Sequence, residues 1–148
     1  MPDLSGKVFI ITGGNGGIGL GMAEGIAAAG GSIAIWARNE TKNRNAVETL
    51  QKLGVPAEAY VCDVSSESAI LESMEETISD FGRIDGLFAN AGRPGTGTPF
   101  VDLSLEEWQK VMAVNLDGVF LCMREAAKQL ISQGSGGSLV AVSSTSAV

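Results

Sequence analysis

Residues 8–19 run Val8-Phe9-Ile10-Ile11-Thr12-Gly13-Gly14-Asn15-Gly16-Gly17-Ile18-Gly19, and the reading of this stretch decides the fold. A β-branched apolar run enters it, and a segment with apolar residues at Ile18, Met22, Ile26 and Ala29 leaves it. The first is the composition of a buried strand, the second the spacing of an amphipathic helix. Five glycines in the turn between them satisfy two patterns. Gly14, Gly16 and Gly19 fit GxGxxG, while Thr12, Gly13, Gly17 and Gly19 fit TGxxxGxG. In a chain with 20 glycines either pattern alone is weak; the strand before and the helix after strengthen it. A side chain in such a turn would keep an anion away from the backbone N–H groups. The helix start adds unpaired donors and partial positive charge, which suits a pyrophosphate. The plain alternative is a flexible turn.

The same alternation continues outward. Short β-rich runs cover residues 32–37, 58–61, 86–90 and 138–143. Helical spacing covers 39–53, 66–81 and 104–131, the last as one long helix opened by a capping-box pattern, Ser104-x-x-Glu107. Gly30-Gly31, Gly54-Val55-Pro56 and Gly82 supply helix stops. Alternating strands and helices predict an α/β fold with a doubly wound parallel sheet of five strands, in the order 3-2-1-4-5. The whole of residues 1–148 is expected to form one nucleotide-binding domain. Trp108 and the methionines of the long helix are expected to be core or sheet-packing residues.

The second strand ends Ile35-Trp36-Ala37-Arg38-Asn39. In dinucleotide folds an acid about 20 residues past the turn often holds the ribose 2′-hydroxyl. Ala37 and Arg38 stand at that place instead. An arginine suits a 2′-phosphate, so NADP(H) is favoured over NAD(H), by about ten- to hundredfold for one charge-assisted contact. Two alternatives stay open: Arg38 as a solvated residue at a helix start, and Glu40 turned inward against a phosphate.

Composition closes off other classes. The 148 residues are 45% hydrophobic and 18% charged, with a net charge of −7. That excess of acid argues against nucleic acid and anionic membrane as partners. There is no histidine, which removes His-based metal sites and Ser-His-Asp triads. No metal is expected. Cys62 and Cys122 are 60 residues apart and read as buried thiols, which with the absence of a long apolar run predicts a cytoplasmic address.

Several segments in order resemble the classical short-chain dehydrogenase/reductase family, whose fold is Rossmann-type. They are residues 12–19 (TGGNGGIG), Cys62-Asp63-Val64, Ala89-Asn90-Ala91-Gly92, Val114-Asn115 and Ser143-Ser144. The resemblance implies cofactor contacts from Thr12, Gly13, Asn15, Gly16, Gly17, Ile18 and Gly19. It implies that Asp63 meets the adenine amino group and that Val64 lines its pocket. Asn90 would brace the central strand, and Ala91 and Gly92 would let the ribose and nicotinamide approach. The first Asn of the family's NNAG is Ala89 here. For catalysis it implies Asn115, holding a water of the proton relay, and Ser144, binding the reacting oxygen. The bland readings stay open: Asp63 as a helix cap, Asn115 as an ordinary helical polar residue, the serines as turn hydroxyls.

The family's Tyr-x-x-x-Lys pair follows the serine by about a dozen residues, and so would lie beyond Val148. The tyrosine is the proton donor that a developing alkoxide needs, made acidic by the lysine beside it. The single tyrosine here, Tyr60, has Val64 four residues on. The chain is therefore expected to be part of a longer enzyme that interconverts a secondary alcohol and a ketone, inactive as it stands. The rival expectation is a non-catalytic nucleotide-binding protein, redox-sensing or scaffolding. The loop at 93–99 (RPGTGTP) is expected to wall the substrate pocket. A homo-oligomer, dimer or tetramer, is implied by the resemblance.

Overall fold

The computed structural model describes residues 2–144. Five strands, β1 (Val8–Thr12), β2 (Ser32–Ala37), β3 (Ala57–Val61), β4 (Gly86–Ala89) and β5 (Ser138–Ala141), form one sheet in the order β3-β2-β1-β4-β5. Every pairing is parallel. Between them run α1 (Gly17–Ala28), α2 (Glu40–Gln51), α3 (Glu67–Phe81), α4 (Leu105–Met112) and α5 (Gly118–Gln133). Among the described residues no helix is long and apolar enough to cross a membrane.

The central strands are apolar along their whole length because both faces are covered. Ile10, Ala34, Trp36, Leu87 and Ala89 point to one side, where they meet Ile70 and Met74 of α3 and Cys122, Ala126 and Leu130 of α5. Ile11, Ile33, Ile35 and Ala37 point to the other, against Ala23 and Ala27 of α1 and Ala46 and Leu50 of α2. Ile10, Ile11, Ile33 and Ile35 are fully buried, each contributing about 1.5–3 kcal/mol. The indole N–H of buried Trp36 donates to Thr77 Oγ1 at 3.0 Å, so no polar atom is stranded there.

The long helix of the sequence reading is present as one continuous run from Leu105 to Gln133, but it is not α-helical throughout. A π-helical turn, Ala113–Asp117, separates α4 from α5, and the Gly118 N–H closes it on the Ala113 carbonyl. The Ser104 cap is present, its Oγ accepting from Glu107 N–H at 3.2 Å. The apolar positions of α4 do not enter the core. Trp108 is 49% exposed and α4 buries no residue, because α4 runs straight into the π turn without lying against the sheet. Ile18 and Ile131 are exposed as well. The stops at Gly82 and Gly134 are left-handed residues that end α3 and α5.

Asp85 locks the amino edge of the sheet. Its backbone N–H donates to the Val8 carbonyl and its carbonyl accepts from Ser138 N–H, joining the starts of β1, β4 and β5. Its buried carboxylate accepts from Arg83, Lys7 and Val8 N–H. Burial pushes this carboxyl up, but these partners outweigh burial and hold it below the ordinary carboxylate range. Stability from the lock is therefore present above the unfolded-state value of about 3.9 and is lost as pH falls through the lower folded value. Asp85→Asn is expected to cost about 1–3 kcal/mol in urea unfolding at pH 7, with the gap to wild type closing below about pH 4.

Candidate functional site

Parallel pairing puts all five strand ends on one edge. The turn after β1, Arg38 after β2, Asp63 after β3, Asn90 to Gly92 after β4 and Ser144 after β5 therefore gather there. The edge sits where the strand order reverses, between β1 and β4, the place at which open α/β sheets bind ligands.

Thr12 and Asn90 tie this reversal together. Thr12 Oγ1 accepts from Asn90 N–H at 3.0 Å and from Ala91 N–H at 2.9 Å. Asn90 Nδ2 donates to the Thr12 carbonyl at 3.0 Å. Asn90 thus braces β1 against β4, as its place in the motif implied. The glycines beside it decide between the two turn patterns. Gly13 holds φ +67°, and a Cβ there would stand 3.1 Å from Ala91 Cα. A Cβ at Gly19 would lie 2.4 Å from the Gly13 carbonyl oxygen and 2.6 Å from Asn90 Nδ2. Gly17 is also left-handed, whereas Gly16 is extended. TGxxxGxG is therefore the spacing the backbone needs.

Gly16 and Gly17 have another property: a Cβ on either would meet nothing within 4 Å. Backbone at the start of α1 thus faces open space, the cradle that a pyrophosphate requires. A groove of about 670 Å³ continues from the turn, lined by Gly13, Asn15, Ala37, Arg38, Asp63, Val64, Asn90, Ala91 and Gly92 among others. A dinucleotide fits this donor set. Gly13, Asn15 and the open backbone at Gly16 and Gly17 would hold its phosphates, Arg38 and Asp63 its adenosine, and Ala91 and Gly92 its far end. Ile18 projects into solvent from the first turn of α1.

Asp63 is not a helix cap; Ser66 caps α3. Asp63 Oδ1 accepts instead from the Ser65 hydroxyl and N–H, at 2.7 and 3.0 Å. The hydroxyl, the N–H and nearby Arg38 hold its carboxyl below the usual range despite some burial. Asn115 is not an ordinary helical polar residue. Its Oδ1 accepts from Arg93 N–H at 2.8 Å and its Nδ2 donates to the Arg93 carbonyl at 3.0 Å. The Arg93 side chain then pairs with both carboxylate oxygens of Glu107, at 3.1 and 3.0 Å. The segment after β4 is thereby held to α4 and the π turn. Ser144 is exposed, three residues past the end of β5. Val142 N–H still donates to the Ala89 carbonyl, so pairing with β4 extends one residue past β5.

A family profile described as short chain dehydrogenase matches residues 7–148. The chain belongs to the short-chain dehydrogenase family. It is 35% identical over 148 residues to the 2,5-dichloro-2,5-cyclohexadiene-1,4-diol dehydrogenase of Sphingobium indicum, covering 100% of this chain and 58% of that protein. An NAD+-bound xylitol dehydrogenase superposes with a TM-score of 0.93 at 35% identity, over 97% of this chain and 55% of that one. An NADPH-dependent 3-quinuclidinone reductase from Rhodotorula rubra superposes at 0.89 with 40% identity, over 98% and 55%. The chain thus spans somewhat over half the length of the relatives it matches. These relatives are oxidoreductases of alcohols and ketones.

Three residues of this short-chain dehydrogenase escaped the sequence reading. Buried Asn43 donates to the Ala37 carbonyl at 2.8 Å and accepts from Asn15 Nδ2 at 2.7 Å, pinning the glycine turn to the tip of β2. Asn15 accordingly braces the turn with its side chain. Lys42 lines the groove beside Arg38, and Glu107 holds Arg93. An asparagine on the core side of α2 was a readable signal; the other two need the folded chain. The cysteines are inert: burial raises the Cys62 thiol, and burial with Cys62 nearby pushes Cys122 up to about 12.

The glycines separate fold from ligand. Gly19→Ala is expected to cost about 1–3 kcal/mol in thermal or urea unfolding, because the added methyl meets backbone. Gly16→Ala is expected to leave stability within about 0.5 kcal/mol and to weaken NADPH or NADH binding by about tenfold, measured by titration.

Proposed function

We propose that this chain is the dinucleotide-binding part of an NADP(H)-preferring oxidoreductase that interconverts a secondary alcohol and a ketone. One observation carries the cofactor preference. Arg38 stands at the tip of β2 on the groove wall, with no acid at that tip. Glu40, the one acid close by in sequence, is occupied by Arg44 at 3.1 Å. A 2′-phosphate would meet a cation there; a ribose 2′-hydroxyl would find no carboxylate beside Ala37. Asp63 is held ionised to accept from the adenine amino group, and Val64 lines that end of the groove.

Bound, the dinucleotide supplies or accepts the hydride. The chain's own part is to bind and orient. Ser144 donates a hydrogen bond to the reacting oxygen. Asn115 fixes the segment after β4 and retains one lone pair and one amide proton for a relay water. A Tyr-x-x-x-Lys pair of the kind the family resemblance implies would supply the proton, while residues 1–148, read as one domain, bind and orient the cofactor. The loop at 93–99 walls the substrate side. A homo-oligomer is supported by exposed Leu105, Trp108, Leu116 and Phe120, which recur at helical spacing along α4 and α5, and a cytoplasmic address by two free cysteines.

Two measurements test the reading. In the full-length protein NADPH should bind about ten- to hundredfold tighter than NADH, and Arg38→Leu should bring the two affinities together; equal affinities in the wild type reject the NADP(H) assignment. Full-length protein with NADPH should reduce a panel of ketones. Binding without turnover across that panel and the matching secondary alcohols would make it a non-catalytic nucleotide-binding protein instead.

A further inference from the structure

The chain carries ten lysines and arginines against seventeen acids. Seven of the ten cations are taken. Each described lysine and arginine holds a carboxylate within ion-pair distance except Arg38, Lys42 and Lys52. Lys52 caps the far end of α2. The other two line the same groove.

Their isolation is built in. Asn39 accepts from Lys42 N–H at 2.9 Å, which sets the first turn of α2, where Lys42 stands. Glu40 lies between them in sequence but turns to Arg44. Asp63 feels Arg38 electrostatically, yet its nearest partners are the hydroxyl and N–H of Ser65. Two cations with no ion-pair partner therefore face one groove in a chain of net charge −7. A phosphate monoester carries about −1.5 to −2 near neutral pH, so one arginine leaves part of it uncompensated. The first turn of α2 adds partial positive charge at the same place.

We propose that Lys42 is the second cation of the 2′-phosphate site and determines cofactor preference jointly with Arg38. This rests on the NADP(H) reading above. Lys42 contributes only to the phosphate that distinguishes the two cofactors, leaving the shared part of the dinucleotide to the glycine turn and Asp63.

The test is titration calorimetry on the full-length protein and its Lys42→Met variant, with NADPH, NADH and adenosine 2′-monophosphate as probes. Lys42 is exposed, and unchanged thermal unfolding midpoints check that the variant folds. The expected result is a loss of about tenfold for NADPH and for adenosine 2′-monophosphate, with NADH within about twofold. The salt dependence of NADPH binding should also become shallower, since one charge has gone. Equal losses for NADPH and NADH overturn the proposal by placing Lys42 on the common part of the cofactor. No loss for NADPH in a protein whose Arg38→Leu variant does lose its preference overturns the proposal alone. Equal wild-type affinities for the two cofactors overturn the NADP(H) reading and this proposal together.

Discussion

The close approach of β1 to β4 at their carboxyl ends governs the rest of the molecule. Thr12 and Asn90 exchange backbone and side-chain hydrogen bonds there, and Gly13 and Gly19 let three backbone segments converge at distances no side chain permits. The sheet reverses its winding at this point, so the crevice opens here. The glycine turn can present its N–H groups to an anion only because Asn90 and Asn43 hold it from two sides. Residues that follow four different strands then face one space without further adjustment.

A second layer of fixation keeps that space shaped. Gly118 abuts the loop after β3, where a Cβ would come 2.8 Å from the Val64 carbonyl. This brings the end of the π turn against the loop after β3. Asn115 in turn holds Arg93, and Arg93 holds Glu107. The loops after β3 and β4 are thus tied through one irregular helical turn.

The sheet was almost wholly legible from sequence, since strands buried on both faces appear as unbroken apolar runs such as Ile33-Ala34-Ile35-Trp36. Strand order followed from the alternation of elements. The π turn was not legible: one added residue leaves the i, i+3, i+4 recurrence of Leu105, Trp108, Met112 and Leu116 undisturbed, so the periodicity carried straight through it. The same pattern placed Trp108 in a core, because periodicity reports an apolar face and not what covers it. At the site, motif positions such as Thr12, Asn90 and Asp63 were visible, each being fixed by its place after a strand. The Arg93–Glu107 pair was not, since its meaning lies in partners distant along the chain, whereas Asn43 on the core side of α2 carried a signal that went unread.

Asp85 and its partners sit at the amino edge of the sheet, the far side from the crevice. The Asp85 lock and the residues that line the crevice therefore occupy opposite rims, separated by the length of the sheet. Arg38 and Lys42 are exposed side chains at the end of β2 and the start of α2. Substitution at either leaves the anchoring rim untouched, so the charge of this end of the crevice can change independently of the lock that joins the strand starts.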